Sequence, residues 1–274
     1  MGRINSYPKI SRPNNNDEII IDGPNGTQNI TMANLSFSLS GMLNAINHRM
    51  IVRGKNLGDQ LTESMKSSIR NGDFDDIFIG DYFYINGTTW RVVDIDYWYG
   101  RGDPTQVSKH HIVIMPDVAL YNAKMNDEKS TDGGYVNSKM YNEGLTNAKY
   151  IIEQAFGYDN ILEYYTLLSN AVNDGSVTAT SWNKVKIALP NEPMIFGHYI
   201  MPKYSNPQSL ITSDPFQLSL FAVQPSMSNK SNIWLRDVVS DTTFSALGIS
   251  GSPLHLLADL ELPIRPIVGI TGGD

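Results

Sequence analysis

The chain has 274 residues, of which 41% are hydrophobic and 18% are charged, so it is long and apolar enough to form one or two folded domains. The formal net charge is −7, and Lys and Arg are not clustered. We therefore expect no nucleic-acid partner, because phosphate binding needs such clusters. No cysteine is present, which excludes disulfides, thiolate metal ligands and cysteine nucleophiles. We therefore expect a folded protein made in a reducing cytosol.

The sequence predicts no membrane partner. The first residues lack the apolar run of a signal peptide. The most apolar window, residues 254–270, is interrupted by Asp259, Glu261, Pro263, Arg265 and Pro266. A helix through this window would place charges and helix breakers in the bilayer, so we expect no spanning segment.

The first segment, residues 1–32, is predicted to be an attachment arm followed by a β-hairpin. Residues 1–16 are polar and contain two prolines, which favours an extended arm. Ile19–Ile21 is a β-branched run, Gly23–Gly26 supplies turn residues, and Thr27–Thr31 is the return strand. An isolated two-stranded hairpin is marginal in water, so we expect it to pack on its own copies or on a neighbouring assembly.

The next segment, residues 33–54, is predicted to be a helical neck. Its apolar residues fall at spacings of four, three and four, close to the heptad pattern of an oligomer seam. Two interpretations stay open, because so few repeats fit equally well a seam between subunits and an amphipathic helix that lies on its own domain. The seam residues are Leu35, Leu39, Met42 and Ile46.

Residues 55–274 are predicted to form the globular body. A helix is expected over Leu61–Arg70, with Thr62 near its start and Gly72 as its stop. Asn86-Gly87 favours a type I′ turn between two strands, and His111–Met115 has the pattern of a further strand. The polar residues 121–135 are expected to form a long loop.

Helices and then short strands are expected in the second half of the body. The helices are predicted at about Ser138–Ala155 and Asn160–Val172. The order of strands, then helices, then strands indicates an α+β fold with a mixed α+β body. The later strands are expected at Trp182–Leu189, Phe216–Val223, Trp234–Asp237 and Ile264–Ile270.

The sequence indicates no catalytic residues, cofactor or metal. It contains no Gly-x-Ser-x-Gly, Walker A, Gly-x-Gly-x-x-Gly or His-Glu-x-x-His motif. His110 and His111 are adjacent beside a strand, where side chains alternate between faces, so we expect one buried and one exposed histidine and no shared metal. The acidic residues Asp73, Asp75, Asp76 and Asp81 miss the calcium-loop spacing and are expected to form a solvated loop edge.

One aromatic cluster is the candidate ligand site: Tyr97, Trp98 and Tyr99 with Arg101. Three consecutive aromatic residues cannot all point inward from a strand end, so at least one ring is expected to be exposed. Exposed rings stack on sugar C–H faces, and a guanidinium donates hydrogen bonds to hydroxyls. The alternative is that these rings cover an oligomer contact or the core.

Several motifs resemble structural proteins of tailed phages that infect Gram-positive bacteria. The hairpin at Asp17–Leu35 is similar to a short module at the N-terminus of many phage head and tail fibres. Further motifs lie through the body, and the similarity touches most of residues 14–270. These motifs are Arg53-Gly54-Lys55-Asn56-Leu57-Gly58, the pattern from Ile69 to Tyr82, Ile85-Asn86-Gly87-x-x-Trp90, and the segments 110–117, 120–126 and 133–136.

The last part of the chain resembles small extracellular domains related to the C-type-lectin-like fold. The similarity lies in Ile233-Trp234-Leu235-Arg236 and in Pro263-Ile264-Arg265-Pro266. The chain departs from that pattern in two places. Trp234 has no second tryptophan beside it, and Ile264 stands where the related domains often carry glycine before the arginine.

The resemblance implies a non-enzymatic virion protein that is assembled in the host cytoplasm. It implies a fibre or decoration that forms a homo-oligomer, with a trimer favoured, and that contacts other virion proteins through residues 1–31. The displayed body is expected to adhere to host-surface glycan. Two alternatives stay open, namely a purely architectural capsid or tail component without a ligand, and a glycan hydrolase attached to the particle.

Overall fold

The computed structural model describes residues 18–23, 26–31, 45–173, 176–204, 212–227 and 231–273. The chain divides into two compact units, residues 1–44 and residues 45–274. In the first unit, β1 (Glu18–Gly23) pairs antiparallel with β2 (Gly26–Thr31). These two strands are all that the structure describes of this unit.

The predicted oligomer seam falls mostly outside the described residues. Leu35, Leu39 and Met42 lie outside them. Ile46 lies in helix α1 (Ala45–Met50), but its side chain is not among those described. The seam therefore stays a prediction.

Helix α1 belongs to the body. His48 is buried, its ring stacks on Phe78 at 4.5 Å between centroids, and its Nδ1 lies 2.8 Å from the carbonyl oxygen of Ile77. Arg49 forms an ion pair with the buried Asp94 at 2.8 Å. The body therefore begins at Ala45, and residues 45–54, which the sequence assigned to the neck, are part of it.

Six of the described strands form the main sheet, in the order β10-β16-β6-β5-β4-β3. Its pairings are antiparallel except that of β3 with β4. Every residue of β6 and β16 is buried, as expected for strands covered on both faces. The strands are β3 (Asn56–Gly58), β4 (Tyr82–Ile85), β5 (Thr88–Ile95), β6 (Ile112–Pro116), β10 (Ile187–Ala188) and β16 (Ile267–Ile270).

The remaining described elements form smaller sheets and helices around the main sheet. The small sheets have the orders β11-β9-β8, β12-β13-β14 and β15-β7. Their strands are β7 (Tyr121–Lys124), β8 (Tyr164–Asn173), β9 (Ser176–Val185), β11 (Lys203–Tyr204), β12 (Ile233–Val238), β13 (Thr243–Leu247), β14 (Pro253–Leu257) and β15 (Glu261–Ile264). The α-helices are α2 (Glu63–Asn71), α3 (Thr146–Phe156), α4 (Glu192–Phe196) and α5 (Ser219–Val223). A short π-helix lies at Met140–Gly144, and two short 3-10 helices lie at Tyr158–Asn160 and Pro225–Met227.

Three local predictions are confirmed in detail. Asn86 and Gly87 both have positive φ angles, 51° and 78°, as a type I′ turn requires, and they join β4 to β5. The side chain of Thr62 accepts a hydrogen bond from the Met65 amide at the start of α2. Gly72 ends that helix in the left-handed conformation.

Three predictions of secondary structure are wrong. Residues 160–172, expected to be helical, contain most of β8, which pairs along its length with β9. Residues 216–223, expected to be a strand, contain α5. The expected loop at 121–135 contains β7, which pairs with β15. A short apolar run fits both the helical period of about 3.6 residues and the strand period of 2. Pairing partners that are distant in sequence therefore decide between helix and strand. The α+β class itself is confirmed.

The acidic cluster after α2 is only partly a solvated loop edge. Asp73, Asp75 and Asp76 are exposed, but Asp81 is fully buried. The guanidinium of Arg53 donates to both carboxylate oxygens of Asp81, at 3.0 and 2.6 Å. The carboxylate also accepts from the backbone amides of Lys55 and Phe78. Asp81 is therefore a structural anchor, and its ion pair with Arg53 offsets the cost of burying the carboxylate.

Candidate functional site

Trp98 does not have the exposed position that a ligand-stacking ring needs. Its side chain is 1% exposed, and the rings of Tyr164 and His111 both stack on it, at 4.2 and 5.6 Å between centroids. The indole N–H donates to the buried carboxylate of Asp214 at 3.0 Å. The prediction of Trp98 as a ligand anchor is therefore wrong, because the rings of Tyr164 and His111 cover it and leave no face for a ligand.

Tyr97 is also part of the core. Its ring is fully buried, and its hydroxyl donates to the backbone oxygen of Phe216 at 2.7 Å. Burial raises the pKa of this phenol well above its usual range. The guanidinium of Arg101 lies over the Tyr97 ring at 4.9 Å and over the Phe216 ring at 4.6 Å. Arg101 therefore covers the edge of the core with its cation between two rings.

Tyr99 is the exposed ring that the sequence predicted. It is 45% exposed and stacks almost parallel on His110, at 4.5 Å between centroids. The predicted set of four is thus divided, with Tyr97 and Trp98 in the core and Tyr99 and Arg101 at the surface. It does not form one ligand site.

The two adjacent histidines meet at one carboxylate. Nδ1 of the half-buried His110 lies 2.7 Å from an oxygen of Asp96, and the backbone amide of His111 donates to the other oxygen at 2.9 Å. His111 is buried, and desolvation lowers its pKa to about 4. Among the described residues, no group of three or more His, Asp or Glu side chains is arranged to hold a metal ion.

The loop that carries Tyr99 and Arg101 leads into two adjoining clefts, which together we name the Lys184–Glu163 groove. The larger cleft has a volume of about 410 Å³ and the smaller one about 240 Å³, and both are lined by Glu163 and Lys184. The larger cleft is also lined by Tyr141, Asn142, Leu145, Thr146, Lys149, Tyr158 and residues 185–187, and the smaller one by residues 105–107, Tyr164 and Tyr165.

The strand pattern at the end of β9 places lysines in this groove. Lys184 is exposed and Lys186 half-buried, whereas Val185 and Ile187 between and after them are buried. This alternation is that of a strand with one face on the core. Lys184 forms an ion pair with Glu163, and hydrogen bonding to that carboxylate raises the pKa of the lysine.

A ring and further cations complete the groove. Tyr158 is 56% exposed, and Nζ of Lys186 lies 3.5 Å from the centre of its ring. No ion pair joins Lys186 to a carboxylate within the described ranges. Lys149 lies 3.8 Å from the carboxylate of Glu153, one helical turn away. The groove thus offers a ring, three ammonium groups and amide groups to a ligand.

This composition favours binding and disfavours hydrolysis. Glycoside hydrolysis uses two carboxyl groups that flank the scissile bond at a defined separation. Glu163 is the one carboxylate residue among the described residues that line the groove, and Lys184 already pairs with it. The groove therefore lacks the acid–base pair that this reaction needs.

Comparison of the chain with models of known protein families, with curated proteins and with solved structures gave no match. In the parts of the chain that the structure describes, no helix has the length and apolar character to cross a bilayer.

Sequence reasoning missed the groove because its walls come from segments that lie far apart in the chain. Residues 105–107, helix α3, the start of β8 and the end of β9 meet only in the folded body. The helix predicted over 160–172 also hid the start of β8, which carries Tyr165 and directly follows Glu163. One signal was available, since the alternation Lys184-Val185-Lys186-Ile187 marks an exposed basic strand face.

Proposed function

We propose that this chain is a structural protein of a tailed phage that infects Gram-positive bacteria, displayed on the particle as a fibre or decoration. In this proposal the body adheres to host-surface glycan through the Lys184–Glu163 groove. Support for a virion protein comes from the sequence motifs that resemble phage structural proteins. Support for adhesion comes from one observation, the grouping of an exposed tyrosine with lysine and amide side chains in an open cleft.

The groove has the chemistry that a glycan ligand uses. The ring of Tyr158 offers a face to sugar C–H groups, and the lysines and the exposed Gln106 offer donors to hydroxyl groups or to anionic substituents. Its combined clefts are in the size range of small-molecule binding sites. Because lysines carry much of the polar lining, we expect binding to weaken as salt concentration rises.

The finer parts of the proposal concern assembly. The protein is assembled in the host cytoplasm, forms a homotrimer through the seam of Leu35, Leu39, Met42 and Ile46, and enters the particle through residues 1–31. Its body is of the C-type-lectin-like kind. Support for this last point comes from the sequence resemblance of the two motifs. Trp234 and Arg265 of these motifs are buried and donate to the backbone oxygens of Ala123 and Pro116.

The experiment is a binding assay of the purified full chain with host cell-wall polysaccharide. We expect Tyr158→Ala to weaken binding by on the order of 1–3 kcal/mol, as loss of an anchor ring does. Tyr84→Ala is the matched control, since Tyr84 is an equally exposed tyrosine on β4 and does not line the groove. Equal binding by both variants and the unchanged protein would refute adhesion through this groove.

A purely architectural role is the second candidate, and the burial of Tyr97 and Trp98 favours it. Those rings were the sequence-based reason to expect a ligand, and they pack in the core. If this role is correct, the full chain binds no host polysaccharide, and particles that lack it fail to assemble. Turnover of cell-wall polysaccharide by the pure protein would instead support the hydrolase alternative.

A further inference from the structure

Helix α3 separates the groove from a second cleft. Ala148, Ile152 and Phe156 are buried on its inner face, where Phe156 contacts Phe83 and Trp90 edge-on at 5.6 and 5.7 Å between centroids. Thr146 and Lys149 line the Lys184–Glu163 groove. Tyr150, Ile151 and Gln154 line the other cleft. Since consecutive helical residues are about 100° apart, Lys149 and Tyr150 point to different sides of the helix.

We name this second site the hairpin cleft, because the β4–β5 turn forms one of its walls. It has a volume of about 460 Å³ and is lined by residues 86–89, residues 118–120 and the three α3 residues. None of these described lining residues is Asp, Glu, Lys, Arg or His. Its electrostatic character therefore differs from that of the groove on the other side of α3.

The walls of the hairpin cleft are preformed. The turn at Asn86-Gly87 has fixed type I′ geometry. The amide of Asp117 donates to the Thr89 carbonyl at 2.9 Å, and the Asp117 carboxylate accepts from Arg91 at 2.7 Å, so segment 118–120 is held beside the hairpin. A ligand would not need to order these walls, which lowers the entropic cost of binding.

The lining combines exposed apolar groups with uncharged hydrogen-bonding groups. Tyr150 is 61% exposed and Val118 is 71% exposed, although both are large apolar side chains. The side chains of Asn86, Thr88 and Gln154 are at least partly exposed beside them. An ionic ligand would find no opposite charge here, and a hydrocarbon would leave the amide and hydroxyl groups without partners.

We propose that the hairpin cleft binds a neutral saccharide. A sugar ring has one C–H face, which suits the Tyr150 ring, and a rim of hydroxyls, which suits Asn86, Thr88 and Gln154. The inference goes beyond the proposed function, because it concerns another surface with another ligand chemistry. It does not require the Lys184–Glu163 groove to bind anything.

The test uses the full chain and a panel of neutral tetrasaccharides: maltotetraose, cellotetraose, chitotetraose and mannotetraose. Binding is followed by saturation-transfer NMR and titration. We expect at least one of them to bind, with an affinity that does not change between low and high salt because no charged group takes part. Tyr150→Ala should weaken this binding by about tenfold, as loss of an anchor ring does. Tyr158→Ala, the matched change in the groove, should leave it unaltered.

Gln154→Ala is the second variant, so that the proposal stays testable if Tyr150→Ala unfolds. The proposal is overturned if no tetrasaccharide binds, or if a folded Tyr150→Ala or Gln154→Ala variant binds as tightly as the unchanged protein. It is also overturned if Tyr158→Ala alone abolishes binding, a result that would place the sugar in the groove and leave the proposed adhesion intact. If the unchanged protein binds a tetrasaccharide but does not bind host cell-wall polysaccharide, the proposed function alone is refuted.

Discussion

The indole ring of Trp98 lies against the phenol ring of Tyr164, with 4.2 Å between centroids and 26° between the ring planes. Tyr164 is the first residue of β8 and directly follows Glu163 of the groove. The aromatic segment that the sequence marked as a ligand site therefore fixes, from inside the core, the strand that carries part of the groove. If the groove binds a ligand as proposed, this segment contributes by positioning the backbone of that strand.

Trp98→Ala is expected to destabilise the protein by about 3–5 kcal/mol, the usual cost of removing a buried tryptophan. The substitution leaves a cavity between Tyr164 and His111 and removes a hydrogen-bond donor from the buried Asp214. Chemical denaturation measures the change. Tyr99→Ala, at an exposed ring, serves as the control and should change stability by about 0.5 kcal/mol or less. Similar small effects at both positions would contradict the core role of Trp98.

Asp237→Asn is expected to make the protein more stable than the unchanged chain at alkaline pH. Asp237 is buried beside Glu192, Arg236 and Asp214, and desolvation followed by the charge of Glu192 raises its pKa to about 8. The backbone amide of Glu192 donates to its carboxylate, and the asparagine oxygen can accept the same bond.

The sign follows from proton binding in the two states. Between the unfolded pKa of about 3.9 and the folded pKa of about 8, the folded state holds a proton that the unfolded state has released. This group therefore lowers the free energy of unfolding as pH rises, by at most about 1.4 kcal/mol per pH unit. Unfolding curves at pH 5 to 9 should show that the advantage of Asp237→Asn grows up to about pH 8 and levels off above it. If the difference in free energy of unfolding between the two proteins stays constant with pH, the raised pKa of Asp237 is ruled out as its cause.

His111 is expected to cause a loss of stability on the acid side. Its Nε2 accepts from the Trp98 amide at 3.2 Å and its Nδ1 lies 3.0 Å from the carbonyl of Lys109, which requires the neutral ring with the proton on Nδ1. Desolvation lowers its pKa to about 4, against about 6.5 unfolded, so its contribution is complete above pH 6.5 and is lost as pH falls towards 4. In His111→Gln this part of the pH dependence should disappear. If acid destabilisation is the same in both proteins, other groups cause it.

Removal of the N-terminal segment is expected to have different effects at two starting points. A chain that begins at Ala45 keeps Arg49 and Arg53, which neutralise the buried Asp94 and Asp81, and should fold. A chain that begins at Lys55 leaves both carboxylates buried without these partners, a loss of about 3–5 kcal/mol for each broken pair. Thermal unfolding compares the two chains, and equal stability would show that α1 does not stabilise the body.

Light scattering on the full chain and on the chain that begins at Ala45 tests the seam. If Leu35, Leu39 and Met42 are buried between subunits, the full chain has a multiple of the monomer mass and the shortened chain has the monomer mass. A monomeric full chain would exclude the neck as an oligomer contact. This comparison avoids the loss of stability that a start at Lys55 brings.

The parts of the fold that depend on local chemistry could be predicted from the sequence. Thr62 and Gly72 set the ends of α2 by capping and by a left-handed stop, and Asn86-Gly87 set a hairpin by its positive φ angles. Each of these signals acts within a few residues, so no knowledge of distant partners was needed. The α+β class followed from the order of such elements.

The parts that depend on distant partners could not be predicted. Residues 164–168 read as helix or strand until the pairing of β8 with β9 is known. The burial of Trp98 depends on Tyr164, His111 and Asp214, which lie in other segments of the chain. For the same reason, neither Lys186 with Tyr158 nor Tyr150 with Asn86 could be recognised as neighbours from their positions in the sequence.

The position of β16 has a consequence for synthesis on the ribosome. This strand, residues 267–270, lies between β6 and β10, although β3 to β6 come from residues 56–116. The edge of β6 therefore has no sheet partner until residues 267–270 leave the exit tunnel. During translation the nascent chain therefore exposes the unpaired edge of β6, an apolar strand that is buried in the folded protein. Chaperones bind surfaces of this kind, and such surfaces aggregate when chaperones are absent.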